Sequence, residues 1–507
     1  MIEHFISQKL LPLFGFLNLA LIMLFLGLSS NTIFKEIKEI RKNTIIWLFV
    51  ILLVALSVRL FLVPQSHIFL IDESFYMSSA KNIILHSKSF MATGDYPKPI
   101  GWPVLLSIAF FFFGISNYTA IYTSTFFGAA SVILIFLMTY FLFKNEKMAL
   151  YSSLFLAILP IHIIYSASAE TAIISSFFIL ATLASFLLCI KHREKSLAFL
   201  ALFIFLFTIQ IRLENILLVI LLGFLFYANS TKLKLKEGII YLSYASPFLL
   251  LSIFQYIQLR NFYNNVYYRN LVFFSLKSIW DKILLIFEIQ NLPIYILFLV
   301  FTLMGFVYID KKDKKNLIFV FLFSLTYSIY YIVYTYSDDF HILPGLVALT
   351  SLAAYGAGSV ASKLSKAFNV KWRIDLFFAI LILIVFSLTF DSNANPVLVL
   401  ETKSILKIKT DTPENCIVVS EVPTIVSSVS ELRTIDTIDF LDKSSTSLLP
   451  FEGRCLYYFE DAYCRESLLP KSMERCKVMH GRFGLKVIKH YTHQNISFYL
   501  YAIGVTK

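Results

Sequence analysis

The chain has 507 residues, of which 58% are hydrophobic and only 15% are charged, and 52 of them are phenylalanine. This apolar surface is far more than the core of a water-soluble protein can bury, so the composition excludes a soluble globular protein and indicates a polytopic membrane protein. The formal net charge of +12 does not indicate a nucleic-acid partner, because the Lys and Arg residues form short clusters between apolar segments.

The basic clusters alternate with the apolar segments, as expected if each cluster stays on the cytoplasmic side of the membrane. The clusters are 35–43, 144–147, 191–195, 232–238, 311–315 and 363–373. We predict an all-α fold with about 12 to 13 transmembrane helices. The predicted spans are 10–30, 44–63, 117–143, 148–166, 170–190, 197–211, 215–228, 239–256, 293–309, 316–336, 341–360 and 374–390.

One apolar segment, 101–113, is too short for a full crossing, which needs about 20 residues. We interpret it as a partial or re-entrant helix. It follows the first outer loop, 64–100, and both belong to a predicted membrane domain, 1–390.

The chain changes character after this domain. Residues 391–507 have mixed charge and alternating strand-like runs, which predict a small extracytoplasmic α/β domain. An even number of cysteines on the outside suits disulfides in an oxidising compartment, and free buried thiols are the alternative. We expect two bridges, with Cys464 to Cys476 our first choice among three pairings of Cys416, Cys455, Cys464 and Cys476.

Three charged residues stand out within the apolar part of the chain. Arg212 and Glu214 interrupt the apolar region 197–228. A charge facing lipid costs roughly 2.5 to 3.5 kcal/mol, so we expect the pair to face a water-accessible cavity, and a structural Arg–Glu pair at a helix turn is the alternative. Glu170 is predicted at an outer turn, where a solvated acid or a helix-start residue is the alternative.

The first outer loop carries an acidic pair, Asp72 and Glu73, at the head of an amphipathic stretch. Apolar residues at helical spacing predict an interfacial helix over 73–87, with Asp72 as its N-cap. Lys98 then lies between two prolines, just before the chain re-enters the membrane. A carboxylate pair and a fixed ammonium at one membrane face suit a phosphate-linked lipid substrate.

The order of these motifs resembles the GT-C membrane glycosyltransferases of the protein O-mannosyltransferase, aminoarabinose-transferase and RgtA-like type. A span ends near Arg59, and the acidic pair with a nearby Tyr follows. Next come the Lys-Pro motif with a further Pro, a Gly turn over 112–116, an acid after "SASA" and an Arg-x-Glu turn. The resemblance covers about 44–230 in motif order and the whole chain in architecture.

This resemblance implies roles for individual residues. Asp72 matches the family's catalytic acid, Glu73 stands beside it with a secondary role in orienting substrate or holding the loop, and Tyr76 occupies the aromatic position. Lys98 resembles the lysine that contacts the lipid phosphate. Glu170 stands where many members have an Asp.

The chain also departs from the family pattern. Phe75 occupies a position where the aminoarabinose-type enzymes carry an Arg. Asp338 and Asp339 stand where relatives often show an Arg, and Arg260 or Arg269 is then expected to supply the missing phosphate contact. The residues assigned to the sugar and the lipid phosphate are therefore Tyr76, Lys98, Glu170, Arg212, Glu214, Arg260 and Arg269.

The sequence thus predicts an inverting glycosyltransferase at the outer membrane face. It would move a sugar from a polyprenyl (dolichyl-type) phosphate carrier to a lipid, glycan or protein acceptor, among membrane lipids. Asp72 would be the general base, and Lys98 and Arg212 would stabilise the phosphate leaving group.

Two further function classes remain as alternatives. In a transporter or lipid flippase, the intramembrane charges would line a permeation path, although we find no hydropathy repeat between the halves. A non-catalytic assembly partner would carry a degenerate site. We expect no cofactor and no metal, because the histidines, including His162 and His341, lack ligand spacing. The sequence has no Gly-rich phosphate-binding loop, and this argues against a nucleotide-sugar donor.

Overall fold

A computed structural model describes residues 10–63, 71–85, 99–229, 235–266, 292–333, 339–368, 371–390 and parts of 404–504. The helices, in chain order, are α1 (Leu11–Lys38), α2 (Lys42–Phe61), α3 (Ile71–Leu85), α4 (Gly101–Phe113), α5 (Asn117–Phe143), α6 (Glu146–Ala157), α7 (Pro160–Ser166), α8 (Thr171–His192), α9 (Lys195–Ile211), α10 (Leu218–Ala228), α11 (Leu235–Val266), α12 (Leu292–Val307), α13 (Lys314–Val333), α14 (Leu343–Phe368), α15 (Lys371–Thr389) and α16 (Pro470–Arg482). Short 3₁₀ helices span Leu213–Leu217 and Asp339–Ile342.

The described helices confirm the predicted α-helical membrane fold. Six of them are long and apolar enough to cross a bilayer, namely α1, α2, α5, α8 and most of α13 and α14. Shorter apolar helices include α4, α9 and α12. Full-length spans in the described residues are therefore about half of the predicted 12 to 13. The segment 101–113 forms one helix of 13 residues, α4.

The predicted span 148–166 is wrong in detail, because it consists of two helices. Helices α6 and α7 are bent by 58° relative to each other, and together they would make a seventh, broken span. Pro160 is the first residue of α7. Because proline has no backbone N–H and clashes with the preceding turn, it favours a new helix start over helix continuation.

Close backbone approach sets the packing of α12 against α14. A Cβ atom added at Gly356 would overlap the carbonyl oxygen of Phe301, so only glycine fits this crossing.

Helix α8 is buried along most of its length and has 22 residues. It is therefore roughly 33 Å long and connects two ends of the bundle. Glu170 precedes its first residue, and the basic cluster 191–195 lies at its last.

The C-terminal part contains a five-stranded sheet. Its strands are β1 (Ile417–Ser420), β2 (Arg433–Asp436), β3 (Leu456–Glu460), β4 (Gly484–His493) and β5 (Ile496–Gly504). The order is β2-β1-β3-β5-β4, with β1 parallel to β2 and β3, and β5 antiparallel to β3 and β4. With α16 between β3 and β4, this agrees with the predicted α/β tail.

Two disulfides cross-link the C-terminal part. The structure pairs Cys416 with Cys455, and these residues precede the neighbouring parallel strands β1 and β3. It also pairs Cys464 with Cys476, the bridge that was our first choice, which ties the segment after β3 to α16. Cys189, in α8, is a free thiol.

Candidate active site

Helix α3 presents the acidic pair of the first outer loop. It begins at Ile71, so Asp72 and Glu73 both lie in its first turn and the expected N-cap position of Asp72 is wrong by this assignment. Carboxylates in a first turn are favoured by the positive end of the helix dipole. Successive helix residues lie on different faces, and accordingly Asp72 is partly buried while Glu73 is fully buried.

Glu73 holds the loop that leads into α8. Its Oε2 atom accepts a hydrogen bond of 2.7 Å from the backbone N–H of Ala169. From the other side, the indole Nε1 of Trp102 donates to the Ala169 carbonyl oxygen at 2.6 Å. Both side chains are buried, so the backbone N–H of Ala169 is fixed by α3 and its carbonyl oxygen is fixed by α4.

Glu170 is the N-cap of α8. Its carboxylate accepts from the backbone N–H of Thr171, and its own N–H donates to Ser168 Oγ at 3.0 Å. The side chain is only 1% exposed. Of the two alternatives named for this residue, the helix-start position is therefore the one that the structure has, and the solvated loop acid is excluded.

Arg212 and Glu214 form an ion pair at the turn after α9. The Arg212 Nε and Glu214 Oε1 atoms are 2.6 Å apart, and Arg212 is 6% exposed. The structural pair that we named as an alternative is thus present. Arg212 also interacts electrostatically with Glu170, Tyr76 and Tyr330, so the ion pair belongs to a larger cluster.

Tyr76 joins the acidic pair to this cluster. Burial raises the pKa of its phenol well above the ordinary value, and the carboxylates of Glu170 and Asp72 raise it further, whereas the Arg212 charge lowers it. Asp72, Glu170 and Arg212 therefore each lie close enough to Tyr76 to act on its phenol, although these residues come from α3, the start of α8 and the end of α9. We call Asp72, Tyr76, Glu170, Arg212 and Glu214 the outer cluster, after the membrane face that the sequence predicts for them.

One member of the neighbourhood was missed in the sequence. His341 was grouped with scattered histidines, yet its Nε2 atom lies 4.0 Å from Glu214 Oε1. Its place in the sequence contained the signal, because His341 follows Asp338 and Asp339 and comes just before α14. Within the described residues, no three His, Cys, Asp or Glu side chains form a group that could hold a metal ion.

Some predicted site residues are not among the fully described ones. Lys98, Arg269 and Asp338 lie outside the described residues, and only the backbone of Arg260 and Asp339 is described. Gly101 nevertheless locates the start of α4. A Cβ atom at this position would be 2.8 Å from the Ile211 nitrogen, so the helix starts directly against the residue that precedes Arg212.

Arg59 contacts both sides of the bend between α6 and α7. It is fully buried, and its guanidinium uses all five N–H groups. Its acceptors are Ser166 Oγ (3.1 Å), His162 Nδ1 (2.8 Å) and the carbonyl oxygens of Ala55 (2.8 Å), Leu156 (3.3 Å) and Ala157 (3.1 Å). The sequence had marked Arg59 only as the end of a span.

No protein-family model and no curated protein sequence matches the chain. Two solved structures of ArnT, an aminoarabinose transferase from Cupriavidus metallidurans, are similar at 11% sequence identity and a TM-score of 0.63. The apo structure covers 90% of this chain and 97% of ArnT, and the structure bound to undecaprenyl phosphate covers 91% and 98%.

The archaeal oligosaccharyltransferase AglB from Archaeoglobus fulgidus is also similar. Its complex with an inhibitory peptide and a dolichol-phosphate has a TM-score of 0.57 at 12% identity, covering 90% of this chain and 74% of AglB. A structure of an Archaeoglobus fulgidus oligosaccharyltransferase tethered to an acceptor peptide has the same TM-score, identity and coverage. This chain therefore has the fold of the GT-C membrane glycosyltransferases, as its sequence motifs predicted.

Proposed function

We propose that this protein is an inverting glycosyltransferase that moves a sugar from a polyprenyl phosphate carrier to an acceptor. The fold supports the general class, and the ArnT and AglB structures with undecaprenyl phosphate and dolichol-phosphate support a lipid-phosphate donor. The observation that carries the proposal is the outer cluster, in which Asp72, Tyr76, Glu170 and Arg212 come together from three separate elements.

Asp72 is the proposed general base. An acceptor hydroxyl is a poor nucleophile until its proton is removed, and a positioned carboxylate contributes roughly 10² to 10⁴-fold to such a step. Glu73 and Glu170 each accept a backbone N–H bond and are buried, which favours positioning roles. Asp72 is partly exposed, which favours access to an acceptor.

Arg212 and Lys98 are the proposed phosphate-binding cations. Negative charge grows on the carrier phosphate as the anomeric bond breaks, and fixed cations away from bulk water stabilise it strongly. Glu214 fixes the Arg212 guanidinium but also offsets its charge. Lys98 lies three residues before Gly101, which contacts the backbone beside Arg212. Arg260 and Arg269 remain proposed contacts to the same lipid.

The acceptor side and the topology complete the proposal. The acceptor hydroxyl would attack the anomeric carbon from the side opposite the carrier phosphate, which leaves. This single displacement inverts the anomeric centre. We place the outer cluster and the C-terminal sheet on the extracytoplasmic side. The two disulfides support that side, because structural disulfides persist in oxidising compartments.

A transfer assay tests the proposal against the flippase alternative. Purified full-length protein in nanodiscs receives polyprenyl phosphate carrying a labelled sugar, together with a cell-envelope extract as acceptor. We expect release of polyprenyl phosphate coupled to labelled acceptor. If the labelled lipid instead crosses the bilayer of proteoliposomes intact and no lipid phosphate is released, the protein is a transporter.

A further inference from the structure

A second polar site lies at the end of the bundle remote from the outer cluster. Helix α8 starts at the outer cluster and ends, roughly 33 Å away, at a cavity of about 350 Å³. This volume falls within the range of about 300 to 1,000 Å³ that is usual for small-ligand sites. The cavity is lined by Phe141, Leu142, Lys144, Leu187, Leu188, Ile190, Lys191, Arg193, Asn229 and Asn316.

The charged lining of this cavity is entirely basic. Its charged residues are Lys144, Lys191 and Arg193. Lys191 pairs with Glu36 and lies 3.7 Å from Glu39, so its charge is partly offset. In the described part of the chain, Lys144 and Arg193 form no ion pair with a carboxylate. These two cations therefore face the cavity without a directly paired carboxylate, although Glu36 and Glu39 act on Lys144 from a greater distance.

The backbone at both cations is unusual. Lys144 has φ 52° and Arg193 has φ 56°, and among the described residues these are the two non-glycine residues with positive φ. They are the C-caps of α5 and α8, a position that normally favours Gly or Asn because a Cβ atom is strained there. Strained backbone that recurs at one cavity indicates a local function.

Interaction with the helix dipole is the simpler explanation for each cation alone, since basic side chains are favoured at helix C-termini. It does not account for cations from two helix ends lining one cavity together with Lys191. Partial burial lowers the pKa of Lys144, and the nearby positive charge of Lys191 adds to the effect. Glu36 and Glu39 oppose this shift, but the three basic side chains that line the cavity outnumber these two carboxylates.

We propose that this cavity binds a phosphate group, carried by an acidic phospholipid headgroup or by a free phosphate compound. Basic pockets between helix ends at a membrane surface suit anionic headgroups. The amides of Asn229 and Asn316 donate to the Leu225 and Leu142 carbonyl oxygens, and each retains a further N–H group for phosphate oxygens. The neighbouring Phe141 and Leu187 side chains provide apolar surface for the first part of an acyl chain.

Replacement of both cations by Asn provides the test, because Asn tolerates the left-handed backbone while removing the charge. Delipidated full-length protein in neutral detergent is titrated with phosphatidylglycerol or phosphatidylcholine and examined by native mass spectrometry. Each basic residue should contribute roughly fivefold, so Lys144→Asn with Arg193→Asn should weaken phosphatidylglycerol binding roughly 25-fold and leave phosphatidylcholine unchanged.

The matched control removes two charges at the same end of the bundle. Lys42→Asn with Lys195→Asn changes the first residues of α2 and α9, neither of which lines the cavity, and should retain wild-type binding. Inorganic phosphate distinguishes the two ligand sources. Displacement of the lipid by millimolar phosphate indicates a free phosphate compound, and resistance to it indicates the lipid headgroup.

A second variant guards against loss of folding. Lys144→Gly with Arg193→Gly relieves the backbone strain, so it should be at least as stable as the wild type and still lose phosphatidylglycerol. The proposal is overturned if the folded Gly or Asn variants bind phosphatidylglycerol as the wild type does, or if the control pair loses binding equally.

Discussion

The buried Arg59 network offers the sharpest test of how the bundle holds its shape. Replacing Arg59 by Met keeps much of the aliphatic volume but removes five N–H donors at the α6–α7 bend. The carbonyl oxygen of Ala55 retains its helical partner. The Ala157 carbonyl and His162 Nδ1 lose their described donors, and each buried group left without one costs about 1 to 3 kcal/mol.

The expected loss for Arg59→Met is therefore about 2 to 6 kcal/mol in the free energy of unfolding. Arg41→Met is the matched control, because Arg41 belongs to the other end of the same helix and its ion pair with Glu146 is exposed, with the Arg side chain 70% accessible. An exposed pair of this kind contributes about 0 to 1 kcal/mol.

Both variants would be compared with the wild type by reversible unfolding in mixed detergent micelles, followed by circular dichroism. Arg59→Lys should fall between Met and the wild type, since an ammonium offers three donors and cannot reproduce the planar fork. Equal stability of Arg59→Met and Arg41→Met would refute the view that this network fixes the bend.

Three further predictions follow from individual contacts. Glu73→Gln retains an acceptor for the Ala169 N–H and should keep the transfer rate within about tenfold of wild type, whereas Glu73→Ala should lose about 1 to 3 kcal/mol in the free energy of unfolding. A folded Glu73→Gln variant without transfer activity would instead make Glu73 a catalytic acid. Gly356→Ala should lower the unfolding temperature, while Gly27→Ala, where an added Cβ meets nothing within 4 Å, should not; equal unfolding temperatures would contradict the close helix crossing. Thiol labelling of the denatured, unreduced protein should modify Cys189 alone, and labelling of any further cysteine would disprove the two bridges.

Helix positions were largely predictable because hydropathy is a local property. The predicted span 117–143 has the bounds of α5, and 170–190 differs from α8 by one or two residues. The bend at Pro160 was not predicted, because the residues on both sides of it are apolar. The mean hydropathy of a sequence window does not respond to one missing backbone N–H donor. The predicted start of α3 was wrong by two residues, because the position of a helix cap depends on backbone geometry, which the sequence pattern does not specify.

The composition of the site was predictable in part. Glu170, Arg212 and Glu214 were identified because charges within apolar sequence are costly and few. Asp72 was identified from the acidic pair of the first loop, and Tyr76 from the family resemblance. The Arg212–Glu214 pair was named as an alternative. The long-range contacts around the site were not predictable, because they join residues about a hundred positions apart, such as Glu73 with Ala169 and Arg59 with His162. His341 was missed because Glu214, which lies 4.0 Å from its Nε2 atom, is far from it in the sequence.

The most direct test of the proposed function is sugar transfer by Asp72→Asn. Asn nearly matches Asp in shape and lies in the same first turn of α3, but it cannot accept the proton of an acceptor hydroxyl. The assay measures release of polyprenyl phosphate and labelled acceptor by purified protein whose folding is verified by its unfolding temperature, with Glu73→Gln as the matched control. We predict that Asp72→Asn and Asp72→Ala both lose at least roughly 10²-fold in rate, while Glu73→Gln does not. Transfer by a folded Asp72→Asn variant at a rate near that of the wild type would contradict Asp72 as the general base.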